Sequence, residues 1–158
     1  TRAYQEFHLL HTMHNALALP VPQPAAAHIK TSGLIYRADI ITTRIQDAQS
    51  AVAILKNNAL DMALWKKVGA IVRRFHDNNI YHHDLNANNI LIDAKEKVWL
   101  IDFDRGRLMP RKQNNTSWKQ SNIARLHRSL VKEQNRHETL HWSPESWNCL
   151  LEGYNGPN

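Results

Sequence analysis

Three residues stand out by type and spacing: Asp84, Asn89 five positions later, and Asp102 thirteen beyond that. Between the last two lie two short apolar runs, Ile90 to Ile92 and Val98 to Ile101, separated by Asp93-Ala94-Lys95-Glu96. This pattern predicts two short strands joined by a tight turn. A hairpin returns the chain on itself, so Asn89 and Asp102 are expected to be neighbours, with Asp84 hanging over both. An acid, an amide and a second acid so placed offer one carboxylate to receive a hydroxyl proton and two oxygen ligands for a hard cation. Turn-forming Asn and Asp are also ordinary loop residues, so a plain structural hairpin accounts for each of them taken singly.

The elements around this stretch are read from periodicity. Residues 2 to 14 carry apolar side chains at 3, 7, 10 and 13 or 14, which is helix spacing. Pro20, Pro22 and Pro24 then impose an extended segment. Ala25 to Ile29 and Leu34 to Thr42 read as strands across a hairpin turn, Lys30-Thr31-Ser32-Gly33. Asp47 to Asn57 reads as a short helix. Leu60 to His76 reads as a longer one with Leu64, Val68, Ile71, Val72 and Phe75 on one stripe. After Asp104 comes a polar, basic loop from Arg105 to Ser117, then helices over about 118–134 and 143–153. Ser143-Pro144 opens the last helix as a cap residue followed by Pro. The tail from Gly153 is expected to be loose.

At 158 residues the chain can bury one real core. Its one cysteine, Cys149, excludes an internal disulfide and fits a reducing compartment. No apolar run approaches membrane-spanning length and no secretory signal opens the sequence. The first residue is not Met and falls in helical spacing, so the chain reads as a piece of a longer protein. The net charge of +6 is concentrated: residues 104 to 137 hold nine Lys or Arg against Asp104 and Glu133, a net of +7. A cluster of that size points to a polyanionic partner, although any one of these residues alone reads as part of a solvated helix face. A zinc site at His76, His82 and His83 is disfavoured, since adjacent histidines point apart and no cysteine lies near.

His82-His83-Asp84-Leu85-Asn86-Ala87-Asn88-Asn89 and Asp102-Phe103-Asp104 resemble the kinase catalytic loop H-R-D-L-x-x-x-N and metal motif D-F-G. His83 departs from the usual Arg, and Asp104 from the Gly. The resemblance implies an α+β, protein-kinase-like fold, mostly the helical C-terminal lobe with a remnant of the N-terminal lobe. Residues 1–45 would be that remnant (helix C, two strands, hinge) and 46–158 the helical lobe with the catalytic loop and metal motif.

It also implies roles. Asp84 would be the catalytic base and His82 would orient its loop; Asn89 and Asp102 would hold Mg²⁺ on the phosphates of ATP. Glu6 falls where the helix-C glutamate pairs with a strand-three lysine, although on position alone it reads equally as an exposed helix residue. The carbonyl of Thr43 and the N–H of Ile45 would bind the purine edge as a hinge. Leu91 would form the apolar floor of that pocket and is a core residue on either reading. No Gly-rich loop or strand-three lysine precedes Glu6, and Lys30, which follows the helix in a turn, cannot replace that lysine.

Trp118 opens the next helix only 16 positions past Asp102, and no A-P-E motif follows. Together with His83 this favours a small-molecule or sugar acceptor over a peptide. Tyr81 to Ile92 and Ile101-Asp102-Phe103-Asp104-Arg105-Gly106-Arg107 are similar to the bacterial lipopolysaccharide inner-core kinases, those acting on 3-deoxy-D-manno-octulosonic acid (Kdo) above all. Leu19 to Pro24 and Trp118 to Leu130 share the similarity, which covers most of residues 1 to 153. That resemblance implies phosphorylation of a Kdo hydroxyl on a lipid A precursor by a peripheral protein at the cytoplasmic face of the inner membrane. The basic cluster would then meet lipid A phosphates or the anionic leaflet, and no nucleic acid is expected. A heptose or other small-molecule kinase would share the whole site. A non-catalytic basic nucleic-acid-binding module would explain the charge but not the spaced Asp84, Asn89 and Asp102.

Overall fold

The computed structural model describes residues 2–32, 35–110 and 116–156. Helix α1 (Arg2–His11) widens into one π-turn (Thr12–Ala16), where the Leu17 N–H reaches the Thr12 carbonyl at 3.1 Å. Leu9, Leu10 and Met13 enter the core from it. The proline-bearing segment runs into β1 (Pro24–Ser32), which pairs antiparallel with β2 (Ile35–Thr42). This hairpin is longer than its sequence predicts, and Lys30 sits in the ladder opposite Arg37 rather than in a turn. Gly33 and Leu34, the expected turn glycine and strand start, lie outside the described residues.

The helix expected over 47–57 is shorter than its composition indicates. Asp47 adopts a left-handed φ of 52°, Gln49–Ser50 form β3, and only Ala51–Leu55 are helical (α2). The Ser50 hydroxyl accepts the Ala53 N–H at 3.1 Å and so sets that helix start. In α3 (Met62–Asp77) the Asp61 carboxylate caps the Leu64 N–H at 2.6 Å. Leu64, Val68, Val72 and Phe75 are buried as the stripe requires, with Trp65 beside them, while Ile71 is only partly covered.

After β4 (Ile80–Tyr81), strands β5 (Ile90–Ile92) and β6 (Val98–Leu100) form the expected hairpin, Ile90 opposite Leu100 and Ile92 opposite Val98. β3 pairs along the other edge of β5. The two-residue period turns Ile90, Ile92, Val98 and Leu100 into the core and leaves Leu91 half-buried on the opposite face, so Leu91 is not the core residue expected of it. A further pairing, of β4 with β7 (Arg107–Leu108), returns the segment after Asp104 onto the strand that precedes His82.

Helices α4 (Ser117–Arg136) and α5 (Pro144–Asn155) complete the chain. Ser143 caps α5 through the Ser146 N–H at 3.3 Å. As far as Asn155 the tail is helical and tied down rather than loose, with Arg73 donating to the carbonyls of Tyr154 and Asn155; residues 157 and 158 lie outside the described residues. α3 and α5 meet backbone to backbone. A Cβ added to Gly69 would land on the Leu150 carbonyl oxygen, and one added to Gly153 on that of Lys66. One apolar cluster runs from Leu9 in α1 through the β5–β6 hairpin to Leu150 in α5, and the polar loop His82–Asn89 is built against it.

Candidate active site

His82 is almost fully buried. Its Nε2 lies 2.9 Å from the Ile101 carbonyl, which can only accept, so Nε2 carries the proton. Nδ1 is then the acceptor for the Asp84 N–H at 3.2 Å. Burial pushes the imidazole below its ordinary pKa, against the opposing pull of the Ile101 carbonyl, Asp102 and Asp84. His82 is therefore a neutral strut between the loop carrying Asp84 and the strand leading to Asp102.

Asn86 organises the rest of the loop. Its Oδ1 accepts the N–H groups of Asn88 and Asn89 at 2.9 and 3.1 Å, capping the single 3₁₀ turn Ala87–Asn89. Its Nδ2 donates to Asp84 Oδ2 at 2.9 Å. Asn89 donates through Nδ2 to the Asp84 carbonyl at 3.0 Å, and its own carbonyl accepts the Ile101 N–H at 3.0 Å. Asp84, Asn89 and the residue before Asp102 are thus bonded in series, the neighbourhood that the hairpin spacing predicts.

Asp102 is exposed and takes a left-handed φ of 62°, a conformation costing about 1 kcal/mol or more for a residue with a Cβ. Its neighbours hold it there. Ile101 is bonded to Asn89 on one side; on the other, Phe103 is fully buried, stacked on Phe75 at 5.7 Å and tilted against His82 at 4.5 Å.

A second set of positioning groups comes from α4, and sequence reasoning missed it. Asn122, Arg125, Ser129 and Glu133 recur at three, four and four residues, one face of a helix. Asn122 is buried; it donates to the His82 carbonyl at 3.0 Å and accepts the His82 N–H at 3.3 Å. Ser129 accepts the Ala87 N–H at 3.0 Å. Buried Glu133 accepts from Asn88 Nδ2 at 3.4 Å and lies 3.3 Å from Arg136 and 3.1 Å from His137. Arg125 Nη1 lies 3.5 Å from Asp84 Oδ1. The signal is a helical period of polar rather than apolar residues, in a stretch that draws notice for its charge.

Behind Asn122 stands His76, whose Nε2 meets Asn122 Oδ1 at 3.3 Å and whose Nδ1 accepts the Tyr154 hydroxyl at 2.7 Å. Burial lowers His76 to about 4. With both ring nitrogens of His76 and of His82 engaged, neither has a lone pair to offer zinc.

Glu6 is half-buried on α1 beside a cavity of about 280 Å³ shared with Arg2, Ile40 and Asp104. Burial raises its carboxyl above the usual range, and the charges of Asp104 and Asp102 raise it further. Glu6 is therefore on the Asp102 side of the site. Arg2 joins α1 to the same place through Asp104, at 2.6 Å.

Thr43 and Ile45 line a different cleft, about 520 Å³, together with Gln23, Asp93 and Trp99. The Thr43 N–H and hydroxyl both donate to the Gln23 carbonyl, at 2.9 and 3.0 Å. Leu91, across from Trp99 in the hairpin, does not line that cleft. Of the basic cluster, Arg105, Arg107, Lys119, Arg125, Arg128, Lys132 and Arg136 lie among the described residues on β7, α4 and the turn before them, while Arg111 and Lys112 lie outside. Among the described residues no helix is long and apolar enough to cross a membrane.

Known proteins are similar to this sequence along its length. The chain is 42% identical over 158 residues to the 3-deoxy-D-manno-octulosonic acid kinase of Photobacterium profundum, covering all of this chain and 64% of that protein. It is 43% identical to the kinase of the same name from Mannheimia succiniciproducens, covering 98% of this chain and 63% of the relative. The chain thus spans a little under two thirds of the length of these relatives. Among solved structures, the Cydia pomonella granulovirus kinase is similar over 65% of the chain and 37% of its own, at 20% identity and a TM-score of 0.47. A family model matches residues 1–154, the bonded loop, hairpin and α4 face included, and the chain belongs to the lipopolysaccharide kinase (Kdo/WaaP) family.

Proposed function

We propose that the full-length protein transfers the γ-phosphoryl group of ATP to a hydroxyl of Kdo on a lipid A precursor, at the cytoplasmic face of the inner membrane. The observation that carries this reading is the bonded series Asp84–Asn89–Ile101, which holds a base and two oxygen donors on one braced loop. The names of the relatives supply the acceptor.

In this mechanism Asp84 takes the hydroxyl proton as the sugar oxygen attacks the γ-phosphorus. A phosphorus–oxygen bond to the sugar forms, the bond to the β–γ bridging oxygen breaks, and ADP departs. Asn86 anchors Asp84 Oδ2, so the carboxylate is aimed before the acceptor arrives. An amide oxygen and an exposed carboxylate are hard donors that suit Mg²⁺, so Asn89 and Asp102 would hold it; when bound it screens the phosphate charge. Glu6, raised by its burial and acidic neighbours, is a group that gains from a cation beside it, as a lysine partner would supply. Thr43 and Ile45 would take the adenine in their cleft, which Leu91 does not line. The arginines of β7 and α4 favour an anionic leaflet or the phosphates of lipid A.

Phosphate transfer from labelled ATP by the full-length protein tests this, with lipid A, Kdo-bearing lipid A and heptose-extended acceptor compared side by side. Label is expected on the Kdo-bearing acceptor and not on bare lipid A. Label appearing only when heptose is present would overturn the reading.

A further inference from the structure

Both oxygens of Asp84 are engaged. Oδ2 receives Asn86 Nδ2 at 2.9 Å, a bond within the loop that fixes the carboxylate. Oδ1, the oxygen left to take a proton, has Arg125 Nη1 at 3.5 Å. That contact is long and involves one nitrogen, and both side chains are half-exposed, so it is weak and readily exchanged. The backbone beneath it is held more firmly. Arg125 stands on the α4 face between Asn122 and Ser129, and both of those are bonded to the loop. The guanidinium is therefore carried from a fixed place beside Asp84 while its half-exposed head remains free to turn.

The acceptor of the proposed reaction is a sugar acid. Its carboxylate can engage a guanidinium through two parallel N–H donors, a geometry the single contact with Asp84 does not provide. We infer that Arg125 is the residue that recognises the acceptor's carboxylate, and that in doing so it leaves Asp84 Oδ1 and uncovers the base. Acceptor binding and readiness of the base are then one event. A neutral sugar of similar shape would leave Arg125 over Oδ1, which gives the site a means of rejecting uncharged acceptors beyond loss of a contact. This inference rests on the Kdo-kinase reading above.

The test compares the Kdo-bearing acceptor with the same acceptor carrying its Kdo carboxylate as a methyl ester, in full-length wild type, Arg125→Gln and Arg125→Lys. The readout is the ratio of kcat/KM for acid over ester, which is independent of any general loss of activity in a variant. Wild type should prefer the acid by about 10- to 100-fold, the range of a charge-assisted pair. Arg125→Gln should bring the ratio close to one, and Arg125→Lys should retain part of it. A full wild-type ratio in Arg125→Gln would overturn the inference, as would an equal fall for acid and ester with the ratio intact. No transfer to the Kdo-bearing acceptor by wild type would instead overturn the functional reading itself.

Discussion

Asn122 holds His82 by both ends of its amide, donating to the backbone carbonyl at 3.0 Å and accepting from the backbone N–H at 3.3 Å. In effect the side chain acts as a short strand against the residue two before Asp84. The loop can thus keep an irregular path inside the core without leaving these groups unpaired.

Asn122→Leu keeps the volume and removes both bonds, leaving the His82 N–H and carbonyl and the His76 Nε2–H without partners. A loss of about 2–3 kcal/mol is expected, read as a lower denaturation midpoint. Because His82 aims Asp84, kcat should fall more than the KM for ATP rises in whatever fraction stays folded. An unchanged kcat would separate this bracing from catalysis.

How much of this could be read from residue order differs from element to element. The meeting of Asn89 with the Asp102 strand is encoded in two apolar runs and a turn, a local pattern with a period of two. The α3 stripe is local in the same sense, whereas its Asp61 cap falls inside the span read as helix from Leu60. By contrast, β4 and β7 are two residues each, too short to show any period. Asn122, Ser129 and Glu133 look like solvent-facing helix residues until the loop they serve is folded over them. Leu91 misleads because an apolar residue between two buried isoleucines reads as core, whereas strand alternation turns it outward.

His76 makes stability depend on pH. Its pKa is about 4 when folded against an ordinary 6.5, so unfolded chains bind the proton first as acidity rises. Its contribution is complete above pH 6.5 and is lost as pH falls toward 4, about 3 kcal/mol in all. His82, also lowered by burial, adds in the same direction. Denaturation midpoints taken between about pH 7 and 4.5 should fall more steeply in wild type than in His76→Gln; parallel curves would contradict the assignment.

Gly69→Ala or Gly153→Ala should drive a methyl group into a facing carbonyl oxygen. The cost is expected at or above the upper end of about 1–3 kcal/mol for overpacking, visible in chemical denaturation. A neutral result would mean that α3 and α5 can slide apart.

Asp102→Asn should spare the fold, because Asn tolerates the left-handed φ as well as Asp does, with stability within about 0.5 kcal/mol of wild type. Calorimetric titration should show weaker binding of Mg²⁺–nucleotide, and the deficit should shrink as Mg²⁺ is raised. Equal affinity in variant and wild type would contradict the proposed role of Asp102 as a Mg²⁺ ligand.

Single-turnover transfer from saturating Mg²⁺–ATP to the Kdo-bearing acceptor, measured for full-length wild type and Asp84→Asn, probes the base most directly. The variant keeps an oxygen for Asn86 but cannot take up the hydroxyl proton, so nucleotide affinity should hold while the transfer step slows by about 10²–10⁴-fold. Transfer at the wild-type rate would show that Asp84 is not the base.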